Sequence, residues 1–447
     1  MSNKRTFIFV NIGGDWEGIA QRVKAEGHQV YNYRTKDQVK GRENTDEGIF
    51  TPKERIDDLF EILNKFMDKK EEVIILFDDN GYGDECDYLR SEGWKVIGGA
   101  AFADKIEYDR AFGLNVMKGI GLNLPDEKTF STIDEGIRFL EGEDEDVRFV
   151  FKPDGEVFAG SSKTYLGKNR QDLIDYLKWI KADCIERHYT ITKFVLQEFV
   201  EGIEADFAAY FNGEEFMPGC ILDIEEKKSG DGNKGEATGC MGNIIIFFDS
   251  CKYFDKYIQK LTPALKAKKY VGQISINNIF AKGSKDGKYK AGVPYGLEFT
   301  PRFGWDSQTT EMSIHKASKQ NVSDFYIALA ERGEFKFNSK LVGCGVRVYT
   351  GSINLKREDV SGRFFSFDPS VKDNLWFYSV SFKNNSTVIE DNPVLMANAV
   401  KPNLKASITD CYDNVLAKLN VPDVYYRMEI GKRAEEVIRF LNKHGWI

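Results

Sequence analysis

Residues 295–304 read Tyr295-Gly296-Leu297-Glu298-Phe299-Thr300-Pro301-Arg302-Phe303-Gly304. Side chains alternate faces along a strand, so Glu298, Thr300 and Arg302 point the same way until Pro301 interrupts the backbone. A carboxylate, a neutral oxygen and a guanidinium on one wall suit a divalent cation such as Mg²⁺ beside a charged phosphoryl or acyl-phosphate group. Taken alone, a strand end with one exposed ion pair reads the same way, so the weight of the segment depends on what accompanies it.

The chain has 447 residues, which predicts about three domains. Its 42% hydrophobic and 30% charged residues, with only 11 prolines, describe a globular protein without low-complexity tracts. A net charge of −8 gives no general basic footprint for nucleic acid. No run of about 18 apolar residues occurs, and Met1-Ser2-Asn3-Lys4-Arg5 leads directly into an apolar strand, so a cytoplasmic location is expected. The seven cysteines form no Cys-x-x-Cys pair and are odd in number, which predicts reduced, mostly buried thiols. Four scattered histidines leave little for a histidine-centred hydrolase or zinc site.

Thr6-Phe7-Ile8-Phe9-Val10 is an apolar strand followed by a turn at Gly13-Gly14 and a helix ending near Gly27. Thr51-Pro52-Lys53-Glu54 combines an N-cap, a first-turn proline and a capping-box glutamate. Ile56, Leu59, Phe60, Leu63 and Phe66 follow at helical spacing, predicting a helix from 51. Val73-Ile74-Ile75-Leu76-Phe77 is the continuous apolar run of a strand buried on both faces, and Asp78-Asp79-Asn80-Gly81 follows it. Residues 1–100 therefore form an open parallel α/β sheet, with ligands expected outside the carboxyl ends of its strands. Gly13-Gly14 lacks the G-x-G-x-x-G spacing of a dinucleotide site. Beyond it come a strand at 148–152, a helix at 169–182, strands at 193–199, 202–211 and 216–224, a helix at 253–268 and a strand at 270–280. The final helix is expected over 430–443.

Lys152 closes an apolar strand and opens a Gly/Ser stretch through Gly155, Ser161 and Ser162, one way to cover nucleotide phosphates. Gln197-Glu198-Phe199-Val200-Glu201-Gly202-Ile203-Glu204 is a strand and an acidic turn. The order of these segments resembles the ATP-grasp superfamily, and within it the glycinamide ribonucleotide synthetases, or phosphoribosylamine–glycine ligases, over nearly the whole chain. Residues 98–112 are similar to the family's stretch ending in Ser-Lys-Ala-Phe, and Phe151-Lys152-Pro153-Asp154-Gly155 resembles its Val-Lys-Ala-Asp-Gly. The most specific match is Gly230-Asp231-Gly232-Asn233-Lys234-Gly235-Glu236-Ala237-Thr238-Gly239-Cys240-Met241-Gly242, against Gly-Asp-Gly-Asp-x-Gly-Pro-Asn-Thr-Gly-Gly-Met-Gly. Leu297-Glu298-Phe299-Thr300-Pro301-Arg302-Phe303-Gly304 is similar to Leu-Glu-Phe-Asn-Ala-Arg-Phe-Gly, and Tyr426-Arg427-Met428-Glu429-Ile430-Gly431 to Tyr-Arg-x-Asp-Ile-Gly.

The resemblance implies a multidomain α/β and α+β chain: an ATP-grasp fold preceded by an open parallel α/β domain and followed by a small C-terminal α+β lobe. The implied division is 1–100 for the N-terminal substrate-binding domain, 101–147 for linker and helices, 148–211 for the lid, 212–340 for the catalytic subdomain and 341–447 for the C-terminal lobe. It implies ATP with Mg²⁺, or Mn²⁺, and amide formation through an acyl phosphate. Arg302 and Lys152 are the implied catalytic cations. ATP is expected at Arg110, Lys152, Gly155, Ser161, Gln197, Glu198, Val200 and Glu204, metal at Glu298, Thr300 and Asn277, and substrate at Gly13, Gly14, Asp231, Thr238, Gly239, Met241 and Arg302. The partners are a small amino acid such as glycine and an amine on a nucleotide, sugar or modified base.

This sequence departs from the pattern at several of these positions. Thr300 replaces a metal-binding asparagine, Asn277 stands where a second metal carboxylate is usual, and Arg110 replaces a lysine. Glu236-Ala237 replaces Pro-Asn, Cys240 replaces a glycine, and Asp15-Trp16-Glu17 stands for Arg-Glu-His. These changes favour an amide-forming reaction other than the purine one. Two alternatives stand beside it: the phosphoribosylamine–glycine reaction itself, or a nucleotide-binding scaffold without turnover.

Overall fold

The computed structural model describes residues 4–11, 16–34, 55–56, 58–153, 164–186, 188, 190–191, 193–383 and 386–447. The expected site residues Gly13, Gly14, Gly155 and Ser161 lie outside these, as do residues 51–54.

The N-terminal strands Thr6–Asn11 and Val73–Phe77 are buried at every position, as their unbroken apolar runs require. They pair in parallel at the centre of a five-stranded sheet, with Gln29–Arg34 and Arg55–Ile56 on one side and Lys95–Ile97 on the other. The chain order reverses between the two central strands, so the crevice beyond Asn11 and Phe77 is the switch point of the sheet. Ile56 belongs to an edge strand paired with Tyr33, not to the expected helix. That helix is Leu59–Asn64, and Asp58 caps it by accepting from the N–H groups of Phe60 and Glu61 at 2.8 and 3.2 Å. The Asp58 side chain satisfies two free donors of the first turn, which sets the start locally.

A four-stranded sheet, in the order Glu127–Phe130, Phe194–Glu198, Phe149–Pro153, Tyr165–Leu166, is covered by the helices Ile133–Glu141 and Arg170–Glu186. The largest sheet has nine strands and runs from Pro294–Thr300 through Val271–Ala281, Gly202–Asn212, Cys220–Glu225 and Gly242–Phe248. It continues without interruption into Val342–Thr350, Leu395–Lys401 and Leu375–Phe377. The sheet therefore crosses both expected boundaries, 211/212 and 340/341, because Gly242–Phe248 and Val342–Thr350 hydrogen-bond as antiparallel neighbours.

The helix expected over 253–268 is three short pieces, Lys252–Lys256, a 3₁₀ turn Ile258–Leu261 and Thr262–Ala267. Pro263, lacking an N–H and fixed in φ, starts the last piece at its first turn. The terminal helix begins at Ala434, not 430, since Gly431 sits at φ +83°. Cys220 and Cys251 are joined as a disulfide, while the other five cysteines are free thiols, four of them buried, as expected.

Trp16, 1% exposed, ties the N-terminal domain to the large sheet through ring contacts with Phe303 at 4.8 Å and Tyr326 at 5.7 Å. Gly98, at φ +84°, donates its N–H to the Val271 carbonyl at 2.6 Å, a second tie between the same units. A side chain at Gly98 would strike the Phe77 carbonyl oxygen at 2.4 Å. No helix among the described residues is long and apolar enough to cross a membrane.

Candidate active site

Strand register assembles the site. Glu298 faces Asn277, Asn277 faces Asp206 and Asp206 faces Asp223 across four adjacent antiparallel strands. One step along, Thr300 faces Ser275 and Ser275 faces Ala208. Cross-strand partners share a face, so these side chains form a polar row from Glu298 to Asp223 and, beside it, a second row that is polar at Thr300 and Ser275 and ends on Ala208. They line a cavity of about 160 Å³, together with Glu225, Lys227, Gln273, Arg302, Trp305, Gly239 and Glu311.

At the expected metal wall, Asn277 Nδ2 donates to Glu298 Oε1 at 3.0 Å and to Thr300 Oγ1 at 3.4 Å. Burial opposes ionisation of Glu298, but Lys227, Lys152, the Asn277 amide and Arg110 hold its carboxyl below the usual range. Carboxylate, hydroxyl and amide oxygens in one patch are the hard donors that Mg²⁺ takes, and the rest of its shell is ordinarily water and phosphate. The donor set fits that ion.

Arg302 is already engaged. Its Nε lies 2.9 Å from Asp79 and 3.2 Å from Glu107, both reaching in from beyond the N-terminal sheet, and its guanidinium stands 5.2 Å from the Trp305 ring. The arginine thus bridges the switch-point crevice and the large sheet, and an anion arriving there would share it with two carboxylates. Glu107 is raised in pKa by burial in spite of this partner.

The expected nucleotide side draws on the smaller sheet. Lys152 ends the strand Phe149–Pro153, and burial followed by the charge of Arg110 lowers its pKa to about 8, against pulls from Glu298, Glu127 and Glu204. The expected ATP cations therefore sit within each other's field. Arg110 Nη2 is 2.9 Å from Glu127, which also accepts from Gln197 Nε2 at 3.2 Å. In the hinge, the N–H groups of Glu198 and Phe199 are used by the carbonyls of Asp126 and Arg148, both at 2.8 Å. Glu198 also pairs with Lys288, and Val200 is buried. Glu204 receives Lys227 at 3.2 Å, and that lysine, held strongly protonated against its burial by Glu204, Glu225, Asp206 and Glu298, lies 3.5 Å from Glu225.

The expected substrate loop divides. Gly239 lines the cavity, and its bare Cα is required there, because an added Cβ would meet the Trp305 ring at 2.7 Å. Thr238 Oγ1 donates to the Lys227 carbonyl at 2.9 Å, which fixes the loop. Asp231 is exposed and accepts from Met428 N–H at 2.9 Å, so it faces the C-terminal segment. Met241 corrects its expectation as a substrate contact: it is 0% exposed in the core, held just before the strand Gly242–Phe248 by its N–H on the Glu226 carbonyl at 2.8 Å and its carbonyl on the Arg347 N–H at 3.0 Å. The C-terminal motif closes the back of the site, with Arg427 and Arg433 3.1 and 3.2 Å from Glu226, and Arg433 Nη1 donating to the Glu204 carbonyl at 2.8 Å.

Sequence reading did not single out Asp206, Asp223, Glu225, Lys227, Gln273, Ser275 or Glu311. Their signal is an alternation of polar residues within apolar strands, as in Ile203-Glu204-Ala205-Asp206-Phe207 and Ile274-Ser275-Ile276-Asn277.

No model of a known protein family matches the chain. Over 367 residues it is 25% identical to the phosphoribosylamine–glycine ligase of Listeria monocytogenes serotype 4b (strain F2365), covering 78% of this chain and 81% of that protein. The crystal structure of phosphoribosylamine–glycine ligase from Thermotoga maritima superposes with a TM-score of 0.66 at 17% identity, covering 95% of this chain and 100% of that one. The biotin carboxylase domain of Hydrogenobacter thermophilus 2-oxoglutarate carboxylase, in complex with MgADP, gives 0.58 at 11% identity, covering 98% and 97%. The fold is that of the ATP-grasp proteins. Among them the chain is similar in sequence to phosphoribosylamine–glycine ligases at the identities given.

Proposed function

We propose that this chain is an ADP-forming ATP-grasp ligase that joins a small carboxylate to an amine through an acyl phosphate. The observation that carries the reading is the convergence of Lys152 and Arg110 on Glu298, each acting on its charge, at the edge of a cavity whose wall holds hard oxygen donors. Phosphoryl transfer needs that combination of positioning and charge neutralisation more than it needs a nucleophilic side chain. The sequence likeness to phosphoribosylamine–glycine ligases supports the same chemistry.

In this reading the hinge at Gln197, Glu198 and Val200 receives the adenine and Glu204 the ribose, with Lys152 and Arg110 on the phosphates. Glu298, Thr300 and Asn277 would hold Mg²⁺, which when bound neutralises charge on the transferred group. Arg302 orients the carboxylate or phosphoryl oxygens and is itself oriented by Asp79 and Glu107. The cavity lies against the large sheet, walled by Trp305, Gly239 and the helix Ser307–Ala317, and closure over bound substrate would keep water from the acyl phosphate. Gly239 leaves room for substrate against Trp305, while Thr238 and Asp231 hold the loop that carries it. Gly13 and Gly14 on the acceptor side, and Gly155 and Ser161 in the phosphate cover, are assigned from the sequence resemblance, since they lie outside the described residues. Glycine or another small amino acid is the carboxylate we favour, and the acceptor is a small-molecule amine on a nucleotide, sugar or modified base.

The test is ADP release by purified protein with Mg²⁺-ATP, an amino-acid panel and an amine panel that includes freshly generated phosphoribosylamine, omitting each component in turn. Release that needs all three components establishes the ligase, and the amine required names the acceptor. A nucleotide-binding scaffold is the second reading, favoured by the engagement of Arg302 with two carboxylates and by the hydroxyl at Thr300. ATP binding with no ADP under any combination selects it.

A further inference from the structure

The cavity floor carries two acids that the nucleotide and metal roles leave unused. Asp206 and Asp223 are directly opposed on neighbouring antiparallel strands, 5% and 7% exposed, and both line the cavity. The Oδ1 atom of each has no hydrogen-bond partner among the described residues. The cations nearby are committed elsewhere: Lys227 to Glu204 and Glu225, Arg302 to Asp79 and Glu107. A pair of buried, facing carboxylates that Lys227 reaches only through its charge, its ion pairs being with Glu204 and Glu225, attracts a further positive particle, because each disfavours the other's charge.

We propose that Asp206 and Asp223 form a subsite for an alkylammonium group carried by the substrate several bonds from its reacting centre. The inference rests on the ligase reading of this cavity and narrows its substrate. Two carboxylates with the Ser275 hydroxyl beside them match the three donors of an ammonium. A divalent ion is the poorer fit, since it seeks six or more oxygens and no group of three or more acidic, cysteine or histidine side chains among the described residues is placed to hold one. Strands lie about 4.8 Å apart, so the pair is two to three strands, roughly 10–14 Å, across the sheet from Glu298. A cavity of about 160 Å³ has the volume of about five liquid waters, enough for a short carbon chain with a charged head. The chemistry fits either a diamine serving as acceptor or a basic amino acid serving as carboxylate.

Calorimetry on the intact protein tests this with 1,4-diaminobutane and ornithine as probes, and norvaline and glycine as controls that lack the second ammonium. At least one probe is expected to bind tenfold or more tighter than norvaline, and the double variant Asp206→Asn/Asp223→Asn to lose that difference. The variant is expected to melt at or above the temperature of the parent, since it removes two unpartnered buried acids, so loss of binding is not loss of fold. Probes that bind no better than norvaline, or that bind the double variant equally well, overturn the proposal. MgADP binding and ADP release are read in parallel. If ADP is released with amines whose use is indifferent to the double variant, the subsite fails and the ligase stands. If the probes bind through the acids but the protein never binds MgADP, the ligase reading fails and the cation subsite stands. ADP release with diaminobutane and a separate amino acid assigns the acceptor, and release with ornithine and a separate amine assigns the carboxylate.

Discussion

Glu311 sits beneath the cavity, 0% exposed, on the helix Ser307–Ala317. It accepts from Tyr210 Oη and, at 2.9 Å, from Gln273 Nε2. Burial raises its pKa from the ordinary 4.5 to about 7 in spite of both hydrogen bonds. The folded protein therefore binds this proton more tightly than the unfolded chain does. The resulting stability is fully present below pH 4.5 and is lost as pH rises through 7. At about 1.4 kcal/mol for each tenfold in proton affinity, ionising Glu311 costs about 3 kcal/mol by pH 8.5. Replacing it with glutamine removes that cost and keeps the network. The amide oxygen accepts from Gln273, the amide N–H donates to Tyr210, and the Tyr210 hydroxyl turns to Gln308 Oε1, already 3.0 Å away. Urea unfolding of parent and Glu311→Gln is to be followed by tryptophan fluorescence from pH 5 to pH 8.5. The two should be close in stability at pH 5, with the variant ahead by about 2–3 kcal/mol at pH 8.5. Curves that move in parallel across this range would show that Glu311 is not the buried acid described.

Four further outcomes are expected. Glu298→Ala should lower Mg²⁺-dependent ADP release about 100-fold or more, and a variant that keeps full turnover removes Glu298 from the metal wall. Because Lys152 loses its proton near pH 8 in the free protein, MgADP affinity should weaken above that pH, with proton uptake on binding. Equal affinity at pH 7 and 9.5 contradicts a phosphate contact by this lysine. Trp16→Ala should cost about 3–5 kcal/mol, measured by denaturation, since its ring joins Phe9, Phe303 and Tyr326. Gly239→Ala should displace Trp305 and raise KM for the substrate more than for ATP; an unchanged KM would place the substrate elsewhere.

Much of the site was legible because local pattern sets it. In residues 295–304 the alternation places Glu298 and Thr300 on one face whatever else the chain does, and the apolar run at 73–77 demands a strand covered on both sides. The ordered motifs around Lys152, 197–204 and 230–242 carried the fold class. Local pattern was insufficient where two strong signals competed. Residues 51–54 read as a helix start, yet the Asp58 cap and an open sheet edge decide where the described helix begins. Met241 belongs to a motif that suggested substrate, but backbone hydrogen bonds to Glu226 and Arg347, distant in sequence, hold it in the core.

By itself, then, the sequence determined which residues share a strand face, where apolar runs must be buried and which chemistry the ordered motifs resemble, because these follow from periods of 2 and 3.6 along a single segment. Tertiary structure alone decided the partners. Asp206 meets Asp223 only through strand register, Arg302 meets Asp79 and Glu107 from some 200 residues away, and Cys220 finds Cys251 across a turn of the fold. Register and domain docking depend on contacts distant in sequence, and so does the charge each buried group carries, since burial and neighbouring charges set it.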